Sequence, residues 1–281
     1  MTTESVNIGH IDGRCLVFGG PYSNLQATEA LRDIASEFGV PAHRVICTGD
    51  TVAYCGDPQA TVDLVRDWGI HVVMGNCEES LGFDEMDCGC GFDEGTLCST
   101  LSVDWYAFAR RAVSESHKLW MKDLPRTIRF TMVGQKIAVI HGGLDNISEF
   151  IFASTDKEEK NRQILKSGSD IVICGHCGIP FGETTKNGAW LNAGVIGMPA
   201  NDGTLDSWYM ILEPDADTIH VNWHRLQFDN GLAAKKMQLN AMRQEYHDAL
   251  LSGLWPSMDV LPETEKSSRG QRLAVSDLVI R

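Results

Sequence analysis

Apolar residues arrive along the chain in short runs, separated by longer stretches with helical spacing. Arg14-Cys15-Leu16-Val17-Phe18 is the first such run and predicts a buried strand. A loop, Gly19-Gly20-Pro21-Tyr22-Ser23-Asn24, leads into an amphipathic helix. Asn24 is placed to N-cap that helix, and Gly39 ends it before Pro41. Val45-Ile46-Cys47 predicts a second strand. Pro58 opens a second helix with Val62, Leu64 and Val65 on its apolar side, and Ile70 to Met74 predicts a third strand. Strands alternating with helices at this spacing imply parallel βαβ units and an α/β fold.

The pattern then changes. Residues 80–103 are rich in Gly, Asp, Glu and Cys and predict an inserted loop; residues 104–122 predict helix. Arg126–Val133 and Gln135–Ile140 flank Gly134 as a hairpin. Residues 156–167 predict a charged helix. Asp170–Cys174, Ala189–Asn192, Ser207–Glu213 and Thr218–Leu226 predict strands. Residues 231–252 predict a helical tail packed on the domain or on a second copy, which makes a homo-oligomer an expectation. Residues 255–281 read as extended or partly disordered, with Trp255 to Pro262 as a strap. The organisation expected is therefore a domain over 14–227, with an insertion near 80–103, and a C-terminal helix and tail over 228–281.

The 281 residues, 43% of them hydrophobic, are enough for one large domain with an appendage. A net charge of −14 argues against general binding to nucleic acid or anionic membranes. No apolar run reaches the roughly 18 residues of a membrane span, and the first residues are polar, so a cytoplasmic protein is expected. Nine cysteines, odd in number and scattered, suggest reduced thiols rather than a disulfide framework.

Four of the predicted strands end alike: an apolar run, a small residue, then a polar side chain. They supply Asp50, Asn76, His141 and His176. Strand ends converge on one rim of a sheet, so the four can meet. One carboxylate, one amide oxygen and two imidazoles suit a divalent transition ion. Singly, each has a bland reading: Gly-Asp is often a turn, and a lone His at a strand end is more often a hydrogen-bonded core residue.

Taken in order, these motifs resemble the calcineurin-like metallophosphoesterases, in particular the small bacterial and archaeal branch with phosphodiesterase members. Gly49-Asp50, Gly75-Asn76-Cys77, His141-Gly142 and Gly175-His176-Cys177-Gly178 match four of that family's serial motifs. Asn192-Ala193-Gly194-Val195-Ile196-Gly197-Met198-Pro199 resembles its following Gly-rich segment. The resemblance spans about residues 14–226. It implies a four-layer α/β/β/α sandwich, two mixed sheets face to face with flanking helices. It implies metal-dependent hydrolysis of a phosphomonoester or phosphodiester, with Asp50, Asn76, His141 and His176 as metal-binding catalytic residues. The implied cofactor is one divalent ion, Mn, Fe or Zn, and the implied partner is a small phosphorylated substrate.

The departures are specific. In the family's Asp-x-His-Gly-Asn motif, Gly20 stands for the Asp and Tyr22 for the His, and Gly178 replaces the second His of Gly-His-x-His. These are the residues that bind one of the family's two ions together with the bridging Asp. The resemblance therefore implies one dismantled metal pocket and one intact. Tyr22 reads three ways, as a metal ligand, as a hydrogen-bond donor to phosphate or as a packed ring. The loop reads two ways. Gly20 and Asn24 either help backbone N–H groups hold a phosphate where the missing ion stood, or form only a tight turn.

Cys77 and Cys177 adjoin the expected ligands and are additional metal or phosphate contacts to test. Cys77 stands where relatives place a His that protonates the leaving group, which makes His117 and His43 alternative acids. Cys88, Cys90 and Cys98 suggest either a metal site or, more simply, a lid with buried thiols. Glu78-Glu79 and Asp93-Glu94 read as solvated loop faces. Two rivals to an enzyme stay open: a non-catalytic relative that binds a phosphorylated ligand, and a scaffold whose ion is structural.

Overall fold

The structure, a computed structural model, describes residues 4–281. Its twelve strands are β1 Ser5–His10, β2 Cys15–Phe18, β3 Val45–Cys47, β4 His71–Val72, β5 Thr127–Met132, β6 Gln135–Val139, β7 Ile171–Cys174, β8 Phe181–Thr185, β9 Gly188–Asn192, β10 Ser207–Asp215, β11 Thr218–Leu226 and β12 Leu278–Ile280. They form two six-stranded mixed sheets, ordered β1-β5-β6-β7-β9-β8 and β12-β11-β10-β2-β3-β4. Within them β2, β3 and β4 run parallel, as do β6, β7 and β9. One apolar cluster takes Ile128, Phe130, Val139 and Ile173 from the first sheet and Val17, Ile46, Met210 and Val221 from the second. The sheets therefore pack face to face, as expected.

The helices are α1 Leu25–Glu37, α2 Pro58–Trp68, α3 Asn76–Gly82, α4 Leu97–Ala112, α5 Glu115–Lys122, α6 Lys157–Ser167, α7 Asn230–Leu239, α8 Gln244–Ser252 and α9 Glu263–Ser267. A second apolar cluster seats Leu31 and Ala35 of α1 and Val65 of α2 against Leu16, Phe18 and Cys47 of the second sheet. On the other side Ile164 of α6 packs with Val172 and Trp190. These contacts complete four layers. Among the described residues, no helix is long and apolar enough to cross a membrane.

The structure corrects several expectations. β1, β8 and β12 were not foreseen, and β4 has two residues where five were expected. All four are sheet edges. An edge strand is covered less completely than a central one and need not be an apolar run; β1, for example, is largely exposed. The predicted helix 104–122 is two helices, broken where Ser114 caps α5 by accepting the His117 N–H at 3.3 Å. The predicted inserted loop narrows to residues 83–96, because α3 and α4 claim its ends. The tail helix is likewise two, divided at Asn240–Arg243. Residues 255–281 are built into the fold rather than left loose: α9 forms, and β12 pairs with β11.

Candidate metal centre

The parallel strands deliver their carboxyl ends to one place. The two sheets are stitched there by the Gly19 N–H donating to the Gly194 carbonyl at 2.9 Å and the Ile196 N–H donating to the Gly19 carbonyl at 3.0 Å. Asp50 follows β3 in the left-handed region, with φ of 58°. Gly49 before it has φ of 101°, and a Cβ there would lie 2.6 Å from the Gly75 nitrogen. Only glycine lets the β3 loop close on the β4 loop this tightly. Asn76 opens α3 after β4, His141 follows β6 and His176 follows β7. The His176 N–H donates to the His141 carbonyl at 3.0 Å, which sets the two imidazoles side by side.

The four side chains converge. His141 Nδ1–H donates to the Thr48 carbonyl at 2.7 Å. A carbonyl can only accept, so this bond fixes the tautomer and leaves Nε2 for the centre. His141 Nε2 lies 3.0 Å from Asn76 Oδ1, 2.9 Å from His176 Nδ1 and 3.3 Å from Asp50 Oδ2. Asn76 is turned the right way round because its Nδ2 donates to the Cys88 carbonyl at 2.8 Å. The donor atoms of Asp50, His141 and His176 all fall within 4.8 Å of one another, and all three residues are buried.

Such a cluster of lone pairs, away from water, needs a positive charge at its centre. The electrostatics record that demand. Burial alone would lower the His141 pKa, but the Asp50 carboxylate and the Thr48 carbonyl outweigh it and hold the ring above its ordinary value. Burial and then the His141 charge push His176 down to about 3. Asp50 is opposed by burial, yet the two imidazoles keep its carboxyl below the usual range. One carboxylate, two imidazoles and one amide oxygen turned inward form a donor set suited to a divalent transition ion.

A residue read as solvated proves to be the keystone of this loop. Glu78 is fully buried. Its carboxylate accepts three backbone N–H groups, from Asp50 at 2.8 Å, Thr51 at 2.6 Å and Gly75 at 2.8 Å. The signal was present in the sequence: a Glu at the third position of a helix reaches back to the capping residue's N–H.

Residues 22–217 match the calcineurin-like phosphoesterase superfamily domain. The chain belongs to that superfamily. An uncharacterised protein of Methanocaldococcus jannaschii is 22% identical over 250 residues, covering 83% of this chain and 95% of that protein. The fold is similar to that of a hypothetical protein from Pyrococcus horikoshii OT3, with TM-score 0.72 and 14% identity over 86% of this chain and 99% of that one. It is also similar to a metallophosphoesterase from Sphaerobacter thermophilus, with TM-score 0.67 and 20% identity over 87% of this chain and 100% of that one.

The segment from Gly20 to Tyr22 has a definite geometry. A Cβ placed on Gly20 would lie 2.5 Å from Tyr22 Cζ. The Tyr22 ring thus occupies the space that a side chain at position 20 would enter. It is buried, and it meets Tyr54 edge-on with centroids 4.8 Å apart. Burial and then the nearby Asp50 carboxylate push its phenol well above the ordinary value. At Gly178, φ is 75° and the Trp255 ring packs 3.5 Å from where a Cβ would sit.

The phosphate-cradle reading of the loop is corrected. The N–H groups of Gly19, Gly20, Tyr22, Ser23 and Asn24 already donate to carbonyls of Gly194, Gly49, Asp50, Thr51 and Pro21. Asn24 is equally engaged: Oδ1 accepts from the Ala27 N–H at 3.1 Å, and Nδ2 donates to the Gly197 carbonyl at 2.9 Å. The loop is a rigid turn with its donors spent inside the protein.

Among the described residues, the thiols touch the cluster only through the Asn76 amide, which donates to Cys90 Sγ at 3.3 Å and to Cys77 Sγ at 3.5 Å. Cys177 Sγ takes the Asn192 amide at 3.1 Å, and Cys77 places its backbone N–H 3.2 Å from Asp50 Oδ1. Burial pushes both thiols well up, and among the described residues neither joins the Asp50, His141 and His176 group. Cys88 and Cys90 are buried, with the Cys88 carbonyl orienting Asn76, so the insertion is a cover with buried thiols. His117 pairs with Asp63 at 2.9 Å in the helical layer. Neither it nor His43 lines the cavity beside His176.

Proposed function

We propose that this chain is a phosphoesterase with a single metal ion, held by Asp50, Asn76, His141 and His176, acting on a small phosphorylated substrate. The observation that carries the reading is the pairing of an assembled four-donor centre with a Tyr22 ring standing over Gly20. One pocket gathers Asp50, Asn76, His141 and His176, with His141 and Asn76 oriented by carbonyls behind them. The other holds an aromatic ring.

A divalent ion bound there supplies Lewis acidity at a phosphoryl oxygen and lowers the pKa of water. The chain's own residues do the rest. Thr48 and Cys88 aim His141 and Asn76 through their carbonyls. Glu78 holds Asp50 in its left-handed conformation, so the carboxylate needs no reorganisation on binding. In hydrolysis the water oxygen bonds to phosphorus, the bond from phosphorus to the leaving oxygen breaks, and that oxygen takes a proton. Nine free thiols fit a reducing cytoplasm.

The test is elemental analysis of untagged protein beside Asp50→Asn and His176→Ala, followed by turnover of phosphomonoesters and phosphodiesters with Mn, Fe and Zn. About one equivalent of metal, lost in both variants together with turnover, supports the reading. Two equivalents in the parent protein would overturn the single-ion assignment. Metal without turnover of any ester would favour a phosphate-binding relative.

A further inference from the structure

Beside the candidate metal centre lies a largely apolar cavity. His176 forms part of its wall, which sets the cavity against the His176 side of the candidate centre. Six aromatic rings line it: Tyr22, Tyr54, Phe92, Phe150, Tyr246 and Trp255. They come from distant parts of the chain, namely the altered loop, the β3 loop, the insertion, the segment after β6, α8 and the C-terminal strap. Several are braced by each other. Tyr54 lies 4.7 Å from Tyr246, and Phe150 lies 4.3 Å from the His176 ring, centroid to centroid. Trp255 is fixed by its Nε1–H donating to the Pro199 carbonyl at 2.7 Å. Among the described residues, no Lys, Arg, Asp or Glu lines the cavity.

We infer that this cavity binds the leaving group of the substrate, and that the substrate class is a phosphoester carrying an uncharged aromatic group. The inference rests on the proposed phosphoesterase reading and names its specificity. Flat apolar walls bury an aryl ring and offer edge and face contacts to it. A second phosphate would meet no Lys or Arg there. The departures from the family motif acquire a purpose. Gly178 lies in contact range of Trp255, and Tyr22 contributes a wall.

Cys98 gives a readout that does not depend on turnover. It lines the cavity and is the one partly exposed thiol, the other eight being buried. The rate of its alkylation by N-ethylmaleimide is measured by mass spectrometry on the full-length, metal-loaded protein. Phenylphosphonate and methylphosphonate, which resist hydrolysis, are the probes. Phenylphosphonate is expected to slow alkylation by about tenfold at a concentration where methylphosphonate has no effect. Phe92→Ala and Trp255→Leu are each expected to remove that difference, with thermal unfolding as the check on folding; Phe92→Leu serves if either variant fails to fold. Equal protection by both probes, or none by either, would overturn the aromatic assignment. Protection by phenylphosphonate without turnover of any ester would leave the pocket standing and count against hydrolysis. Turnover with no preference for aryl over methyl esters would count against the pocket alone.

Discussion

The Glu78 carboxylate accepts the backbone N–H of Asp50 at 2.8 Å, while its other oxygen takes the Thr51 N–H at 2.6 Å. A buried acid that touches no substrate thus holds the metal-facing Asp in place. Glu78→Gln puts an amide N–H₂ against one of these donors. The variant is expected to weaken metal binding by about 10–100-fold, the usual cost of losing a group that orients a ligand. It should also lose about 2 kcal/mol of stability. Isothermal titration with Mn²⁺ and denaturant unfolding measure the two effects; unchanged metal affinity would show that Asp50 holds its position without Glu78.

Gly20 and Tyr22 exclude each other's alternatives. Gly20→Asp alone drives a carboxyl into the Tyr22 ring, and overpacking of this kind costs about 1–3 kcal/mol. Combined with Tyr22→His, the clash disappears and two donors return. The double variant is expected to be more stable than Gly20→Asp and to take up more metal than the parent chain. Double-mutant analysis of unfolding checks the coupling, which must be stabilising for the pair if the ring fills that space.

The ion is expected to be part of the folded state's stability. Four buried donors with lone pairs turned inward favour the native chain only when a cation is present. Adding Mn²⁺ or Zn²⁺ to chelator-treated protein should raise the midpoint of thermal unfolding, and His141→Ala should abolish that rise. Scanning calorimetry across metal concentrations tests this. A midpoint indifferent to metal would mean that the centre does not bind one.

The central strands and the convergence of Asp50, Asn76, His141 and His176 were legible in the sequence because both signals are local. A strand buried on both faces, such as Ile171–Cys174, is a run of apolar residues, and the residue after it is the one at the rim. Among the edge strands, β1 and β12 pair with neighbours far along the chain, and β8, though it forms a hairpin with β9, carries Gly182, Glu183, Thr184 and Thr185 rather than an apolar run. Tyr22 was identified as a replacement, but its ring's place over Gly20 depends on backbone angles that composition does not encode. Glu78 was read as solvated because its three N–H partners come from two loops that meet only in the fold. The aromatic cavity was invisible for the same reason: its six walls span residues 22 to 255.

The C-terminal strap continues past α9 to Leu273, where its anchoring depends on pH through Asp202. Its carboxylate accepts the Leu273 N–H at 2.9 Å, Arg225 Nη2–H at 2.9 Å and the Thr204 hydroxyl at 2.6 Å. Burial alone would raise its pKa, but Thr204, the Leu273 N–H and Arg225 together hold it below the ordinary 3.8. A folded-state value below the unfolded one means that the stabilisation is complete above pH 3.8 and is lost as pH falls through the lower, folded value. Arg225 also donates to the Leu273 carbonyl at 2.7 Å, so protonation of Asp202 releases the strap from both sides of one residue. Hydrogen exchange around Leu273 should therefore accelerate on acidification before exchange in the central strands does. Asp202→Asn should show the faster exchange already at neutral pH, with a stability loss of about 1–3 kcal/mol. Strap protection in Asp202→Asn equal to that of the parent chain at neutral pH would place the anchor in the β11–β12 pairing instead.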